Sequence, residues 1–202
     1  MNRFFIFSGA LMLLSFAGRA QDATEEPRAG YSTEGYGNNI ISVIPVAAQN
    51  EGYAAGITYE RFLDPRARIS LYVPLTINVQ DEAWHYRSQY KTVTTGGLIG
   101  FKFYPTSSRG VVRYALGLSV GVYDLARTYS KGYSPVGPAY EDKRKEHYLR
   151  AGFLMNNSVN FTLSRKVSLG LDLHLGVGQN GDPDQDDTMP MLLALFRAGY
   201  RF

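Results

Sequence analysis

No cysteine occurs anywhere in the 202 residues, which excludes disulfides, thiolate metal sites and cysteine nucleophiles together. Histidine is scarce too: His85, His147 and His174 set the limit on imidazole chemistry. Beyond residue 20 there is no long apolar run, so no transmembrane helix is expected. Neither sign of charge dominates. Taking Arg3 and Arg19 of a candidate export signal from the 21 basic residues leaves 19 against 18 acidic ones. The pI near 9.0 therefore gives no argument for nucleic acid, and no nucleic-acid partner is expected. What the chain has instead is glycine (21 residues) and tyrosine plus phenylalanine (15 and 11), high values for a soluble domain of this size.

The N-terminus reads as a secretory signal over residues 1–20. Arg3 gives a positive start, Phe4 to Ala17 an apolar core, and Gly18-Arg19-Ala20 a small-x-small cleavage site. That core is shorter than the ~20 residues of a membrane-spanning helix, so cleavage before Gln21 is expected. No cysteine follows the cut, so a lipid-modified N-terminus is not expected. Residues 21–38 are polar and lack periodicity, and they read as a flexible leader.

From Asn39 to Phe202 the pattern changes. Val167, Leu169, Leu171, Leu173, Leu175 and Val177 alternate with Ser168, Gly170, Asp172, His174 and Gly176. Successive strand side chains point to opposite faces, so one face is wholly apolar and the other small, polar and partly charged. Eleven such residues match a tilted strand crossing a bilayer. Eight segments of this kind are predicted: 39–48, 53–62, 67–79, 92–104, 111–124, 147–163, 167–178 and 191–202. The first barely alternates and contains Pro45. In the third, the pattern puts Ala67 with Ile69 on the apolar face and Arg68 opposite, and Pro74 is expected to mark a bulge or kink. Asn157 falls on an apolar face with no evident partner.

Loop lengths support the same arrangement. Connections after strands two, four and six are short (63–66, 105–110, 164–166), and those after strands three, five and seven long (80–91, 125–146, 179–190). The connection at 49–52 is short although it lies on the long side. Such alternation, with both termini on the short side, marks a barrel with short turns at one rim and long loops at the other. The expected fold is thus all-β: an eight-stranded antiparallel up-and-down transmembrane β-barrel.

A soluble barrel would turn its apolar face inward, but a soluble exterior is dense in Lys, Glu and Asp. Here the polar face is mostly Gly, Ser, Ala, Thr and Asn, which suits a narrow interior. By parity, Glu60, Lys102, Arg113, Arg150, Asp172, His174, Arg197 and Arg201 point inward. Buried charges must pair, so an interior charge network is expected that plugs the barrel. The alternative is a narrow conduit, biased toward anions by its arginines.

Residues 39–202 resemble the small eight-stranded OmpA/OmpX-type outer-membrane barrels and, more broadly, the outer-membrane protein beta-barrel domain family. The resemblance includes the last strand, in which Phe196, Tyr200 and Phe202 match by spacing a signal read by the outer-membrane assembly machinery. It implies a Gram-negative outer membrane, contact with its lipid and lipopolysaccharide, and a structural or surface-recognition role through long loops. No motif specifies a member. A monomer is expected.

Motifs that would carry chemistry are weak. No catalytic residue is expected: the His-x-Ser spacing of the lipid A deacylase family is absent at all three histidines, and His174 could at most find Ser119 or Ser168 as a neighbour. Asp182, Asp184 and Asp186 are spaced as the first ligands of a calcium loop, but Asp187 stands where Gly is needed and Leu193 where Glu is needed. No metal or cofactor is therefore expected. Lys143, Arg144 and Lys145, in a stretch rich in tyrosine, are candidate contacts for lipopolysaccharide phosphates.

Overall fold

The computed structural model describes residues 37–50, 52–64, 67–84, 88–105, 111–133, 140–181 and 188–202, and within these the side chains at 81–84, 88–90, 129–133, 140–143 and 180 are left aside. The signal, most of the leader, His85 and the acidic motif from Asp182 to Asp187 lie outside the described residues. Eight strands succeed one another: β1 Asn39–Gln49, β2 Gly52–Phe62, β3 Ile69–Trp84, β4 Ser88–Phe103, β5 Val112–Tyr133, β6 Tyr140–Thr162, β7 Val167–Asn180 and β8 Thr188–Arg201. Each pairs antiparallel with its neighbour in sequence, and β1 pairs with β8, so the sheet closes into a barrel without a crossover. Closure satisfies both edges of every strand around the wall, which an open sheet cannot do.

The weak alternation of the first strand has a structural cause. The register of β1 slips by one residue against β2 between Ile44 and Ala47, and against β8 between Val43 and Val46. Ile40, Ser42 and Ile44 face inward before the slip, and Ala47 and Gln49 after it. Pro45, which has no N–H to give a ladder, sits in this bulge. The bulge expected at Pro74 does not form: Thr58 pairs with Pro74 in unbroken register, and the pairing of β3 with β4 keeps one register on either side.

The turn between β2 and β3 also departs from expectation. Ala67 is not on an outward strand face but is wholly buried in the turn, in a left-handed conformation (φ 52°), and Arg68 is exposed. Asp64 Oδ1 accepts from the backbone N–H groups of Arg68 and Ile69 at 2.7 and 2.8 Å, a side-chain to backbone bridge across the turn that holds this shape. At the same rim Asn38, assigned by sequence to the leader, accepts from the Phe62 N–H at 2.8 Å.

The outer wall is a continuous apolar belt. On β5 it runs from Val112 through Leu116, Leu118 and Val120 to Val122, all well exposed, and stops at Asp124. Lys91 and His147 bound it on neighbouring strands, and Arg61 marks the opposite rim. Eleven residues at ~3.3 Å each, tilted by ~40°, give a belt of about 25 Å, the height of a bilayer's hydrocarbon layer as such barrels meet it. Asn157, on this face, accepts a hydrogen bond from Tyr114 at 2.7 Å, which gives its amide oxygen the partner that the sequence did not reveal.

Above the belt the strands continue. β5 and β6 stay paired from Val112–Phe161 to Tyr133–Tyr140. The expected long connections at 80–91 and 125–146 are thus largely strand, and β7 and β8 take in residues 179–180 and 188–190 of the third. The basic stretch Lys143–Lys145 is part of β6, with Lys145 opposite Thr128 and Arg144 opposite Tyr129, rather than part of a loop.

Candidate functional site: the barrel interior

An eight-stranded barrel has an interior just wide enough to be filled by side chains. Here the filling is stratified. Toward the rim of the long hairpins, Ile44, Ala47, Ala54, Leu98, Tyr123, Leu125, Leu154, Met191, Leu193 and Leu195 form one buried apolar cluster with Tyr72. Glycines make room for it: a Cβ on Gly96 would overlap the Tyr123 ring. The sequence-based view of a polar interior missed this layer, although the inward parity of Leu193 and Leu195 on β8 already contained it.

Below lies the charge network. Asp172 on β7 accepts from Lys102 Nζ at 2.8 Å through one oxygen, and from Arg197 Nε at 2.8 Å and the Tyr72 hydroxyl at 2.9 Å through the other. Arg197 also reaches Glu60 at 3.2 Å. Glu60 Oε1 accepts from the Tyr104 hydroxyl at 2.5 Å and from Ser70 at 2.7 Å. Lys102 Nζ lies 3.6 Å from the centre of the Tyr72 ring. Two carboxylates and two cations are thus neutralised within one layer; Glu60, Asp172 and Arg197 make further hydrogen bonds and Lys102 lies over the Tyr72 ring, which meets the condition for burying charge. Tyr72 and Tyr104 were not singled out by sequence. The even-numbered inward parity of β3 and β4 is the signal that would have found them.

His174 is wholly buried on β7, stacked on Tyr72 with ring centres 5.8 Å apart. Asn156 Nδ2 lies 2.8 Å from its Nε2, and Ser119 Oγ lies 3.4 Å from its Nδ1 while also facing the Leu154 carbonyl at 3.3 Å. Serine and histidine do meet, but in the closed middle of the lumen, where a lipid ester has no approach.

Of the remaining inward arginines, Arg113 meets the network through Tyr104, whose ring centre lies 4.1 Å from its guanidinium group. Arg113 and Arg201 are at the rim that carries the C-terminus, and Arg150 is at the opposite rim beside a cavity lined by Gln49, Tyr123 and Met191. Among the described residues the two cavities share no lining side chain, and the first is floored by Tyr123, Leu154 and Met191 of the apolar layer. Phe196, Tyr200 and Phe202 are 39%, 48% and 54% exposed on the outer face. On β6, Arg144 Nε pairs with Glu146 at 2.9 Å, with the arginine side chain 76% exposed. Among the described residues no group of acidic or histidine side chains is arranged to hold a metal.

No family model matches the sequence, and no curated protein does. Solved structures similar to this chain include Ail, the attachment invasion locus protein of Yersinia pestis, in complex with the heparin analogue sucrose octasulfate. It is 12% identical over 82% of this chain and 99% of that one, with a TM-score of 0.48. Neisserial surface protein A is 14% identical over 81% and 93% of the two chains, with a TM-score of 0.38. CarO2 of Acinetobacter baumannii is 9% identical over 81% and 98%, with a TM-score of 0.35. Likeness at this level carries no argument on function.

Proposed function

We propose that this chain is a non-enzymatic integral protein of a Gram-negative outer membrane, exported through a cleaved signal peptide and acting as a monomer. Its closed barrel anchors the protruding β3–β6 ends, which serve a structural or surface-recognition role. The observation that carries this reading is the uncharged belt of exposed aliphatic side chains around all eight strands. Soluble monomers rarely expose contiguous apolar patches beyond a few hundred Å², and lipid is the solvent that such a belt fits. The outward Phe196 and Tyr200 of β8, with Phe202 just beyond it, stand where an assembly machinery could read them from the lipid side.

Filling of the lumen favours a plug over a conduit. The membrane-extracted protein should resist SDS unboiled and shift its apparent mass on boiling, and it should give negligible steady conductance in planar bilayers. Recovery in the soluble periplasmic fraction without a mobility shift would replace the membrane reading. A reproducible open channel would replace the plug with a solute pore. The recognition role has its own test. Exchange of Lys143, Arg144 and Lys145 for Gln together should weaken binding to lipopolysaccharide, and unaltered binding would remove that contact from the reading.

A further inference from the structure

Strands β4, β5 and β6 outlast the belt, and one face of the sheet they form continues the lipid-facing wall. Their pairing is unbroken, so the outward face rises without a change of parity. Going up from the belt, Asp124 pairs with Leu149, Ala126 with His147 and Thr128 with Lys145. On the other side of β5, Val93 pairs with Ala126 and Lys91 with Thr128. Lys91, His147 and Lys145 are exposed. The face therefore forms a shallow trough, with the short side chains of Ala126 and Thr128 as its floor and a lysine on either side.

Both lysines have charge to spare. Among the described side chains neither makes an ion pair, whereas His147 lies 3.7 Å from Asp124. The register places Asp81 of β3 opposite Lys91, and the far side of Lys145 has no strand beside it, since β7 pairs with β6 only from Arg150 onward. Arg144 shares the parity of the inward Arg150 and is tied to Glu146 at 2.9 Å. Alternation thus splits the basic stretch of β6, and Lys91 of the neighbouring hairpin takes the place of Arg144 beside Lys145. Height supplies the second observation. Thr128 and Lys145 stand four residues beyond Asp124 and Leu149, where the belt ends. That is about 10 Å further from the hydrocarbon at the rise and tilt of such strands. The headgroup layer of one leaflet is about 5–8 Å deep, and a lysine stem lying along the wall brings its ammonium into it. Two strand spacings, about 10 Å, separate the backbones of Lys91 and Lys145, so the two side chains can converge on one group. The anionic group found at that height is a lipid phosphate.

We propose that Lys91 and Lys145 clamp one phosphate of an outer-leaflet lipid over the Ala126–Thr128 floor. This clamp presupposes the outer-membrane reading above and gives its recognition face a partner. The full-length barrel is folded into phosphatidylcholine bicelles and titrated with lipid A carrying its phosphates, or with the same lipid dephosphorylated. Retained lipid is counted by native mass spectrometry. The boiling-dependent mobility shift checks insertion of every variant, so a failure of the membrane reading is seen apart from a failure of the clamp. Saturable retention is expected for the phosphorylated lipid and little for the other. Lys91→Gln and Lys145→Gln should each raise the half-saturating concentration about 5-fold, and Arg144→Gln should leave it within about 2-fold. Equal retention of the two lipids overturns the proposal. So does an unchanged half-saturation in either lysine variant, or a rise in Arg144→Gln as large as theirs. Full displacement of the lipid by an equal concentration of inorganic phosphate would make the ligand a free anion and overturn it as well. Should only the joint exchange of Lys143, Arg144 and Lys145 weaken binding, the recognition role stands and the clamp falls.

Discussion

Asp172 is the residue on which the interior depends most. It accepts from Lys102, Arg197 and Tyr72 at once, and it is buried. Removing one partner of a buried ion pair costs more than the pair itself contributes, because the other charge remains desolvated. Asp172→Ala should therefore lower the unfolding free energy by about 3–5 kcal/mol, read from urea titration of the barrel folded in lipid vesicles. Combining Asp172→Leu with Lys102→Met should recover part of that loss, because Arg197 keeps Glu60 as a partner. If the double variant is as unstable as Asp172→Ala, the network works through geometry rather than charge balance. All eight inward residues were legible from strand parity. Which of them touch was not. Lys102 and Asp172 stand 70 residues apart, on strands that do not pair, and only closure of the barrel brings them together.

At the scale of the element, β1 shows how a local irregularity hides a regular strand. One additional residue at Pro45 reverses the parity of everything after it in β1, so no single alternation runs through the segment. A one-residue shift moves a whole face between lumen and lipid. Deleting Pro45 would join Ile44 inward to Val46 outward and leave the inward Ala47 in step. The deletion variant should therefore still show the boiling-dependent mobility shift. Inserting one alanine between Val120 and Gly121 in β5, which has no bulge, should abolish it, because one half of the strand would then turn its inward residues toward lipid. The long hairpin of β5 and β6 makes a related point. The charged stretch after Leu125 breaks the apolar alternation that identifies a membrane strand, and on alternation alone the strand ends there. Backbone pairing continues nonetheless, because above the belt water can cover both faces of a ribbon.

For the whole molecule, the governing fact is the position of charge: buried charged side chains are inside with glycine and one apolar layer, and the belt outside is aliphatic and uncharged. The belt sets a sign that can be tested position by position. Leu118 stands 67% exposed near the middle of the belt. In lipid vesicles Leu118→Arg should cost about 2–4 kcal/mol of unfolding free energy, whereas Leu149→Arg, at the edge beside His147, should cost about 0–1 kcal/mol. Equal costs at the two positions would mean that no membrane core surrounds the barrel. A soluble barrel of the same topology would show neither penalty.

By itself the sequence determined what a period of two and the lengths of the connections dictate: eight strands, their antiparallel order, the apolar belt, and the inward and outward sets of every strand but the first. Each is a local property, because a side chain's face is set by its position in its own strand. The tertiary structure decided whatever depends on distance across the lumen. It set the pairing of Asp172 with Lys102 and Arg197, the apolar layer that closes the upper half, and the meeting of Arg113 and Arg201 over Phe62. It also decided the two departures at Pro45 and Ala67, since a bulge and a turn are chosen by how neighbouring strands must meet to close the barrel. Alternation says which way a residue points; only closure of the sheet fixes what it meets there.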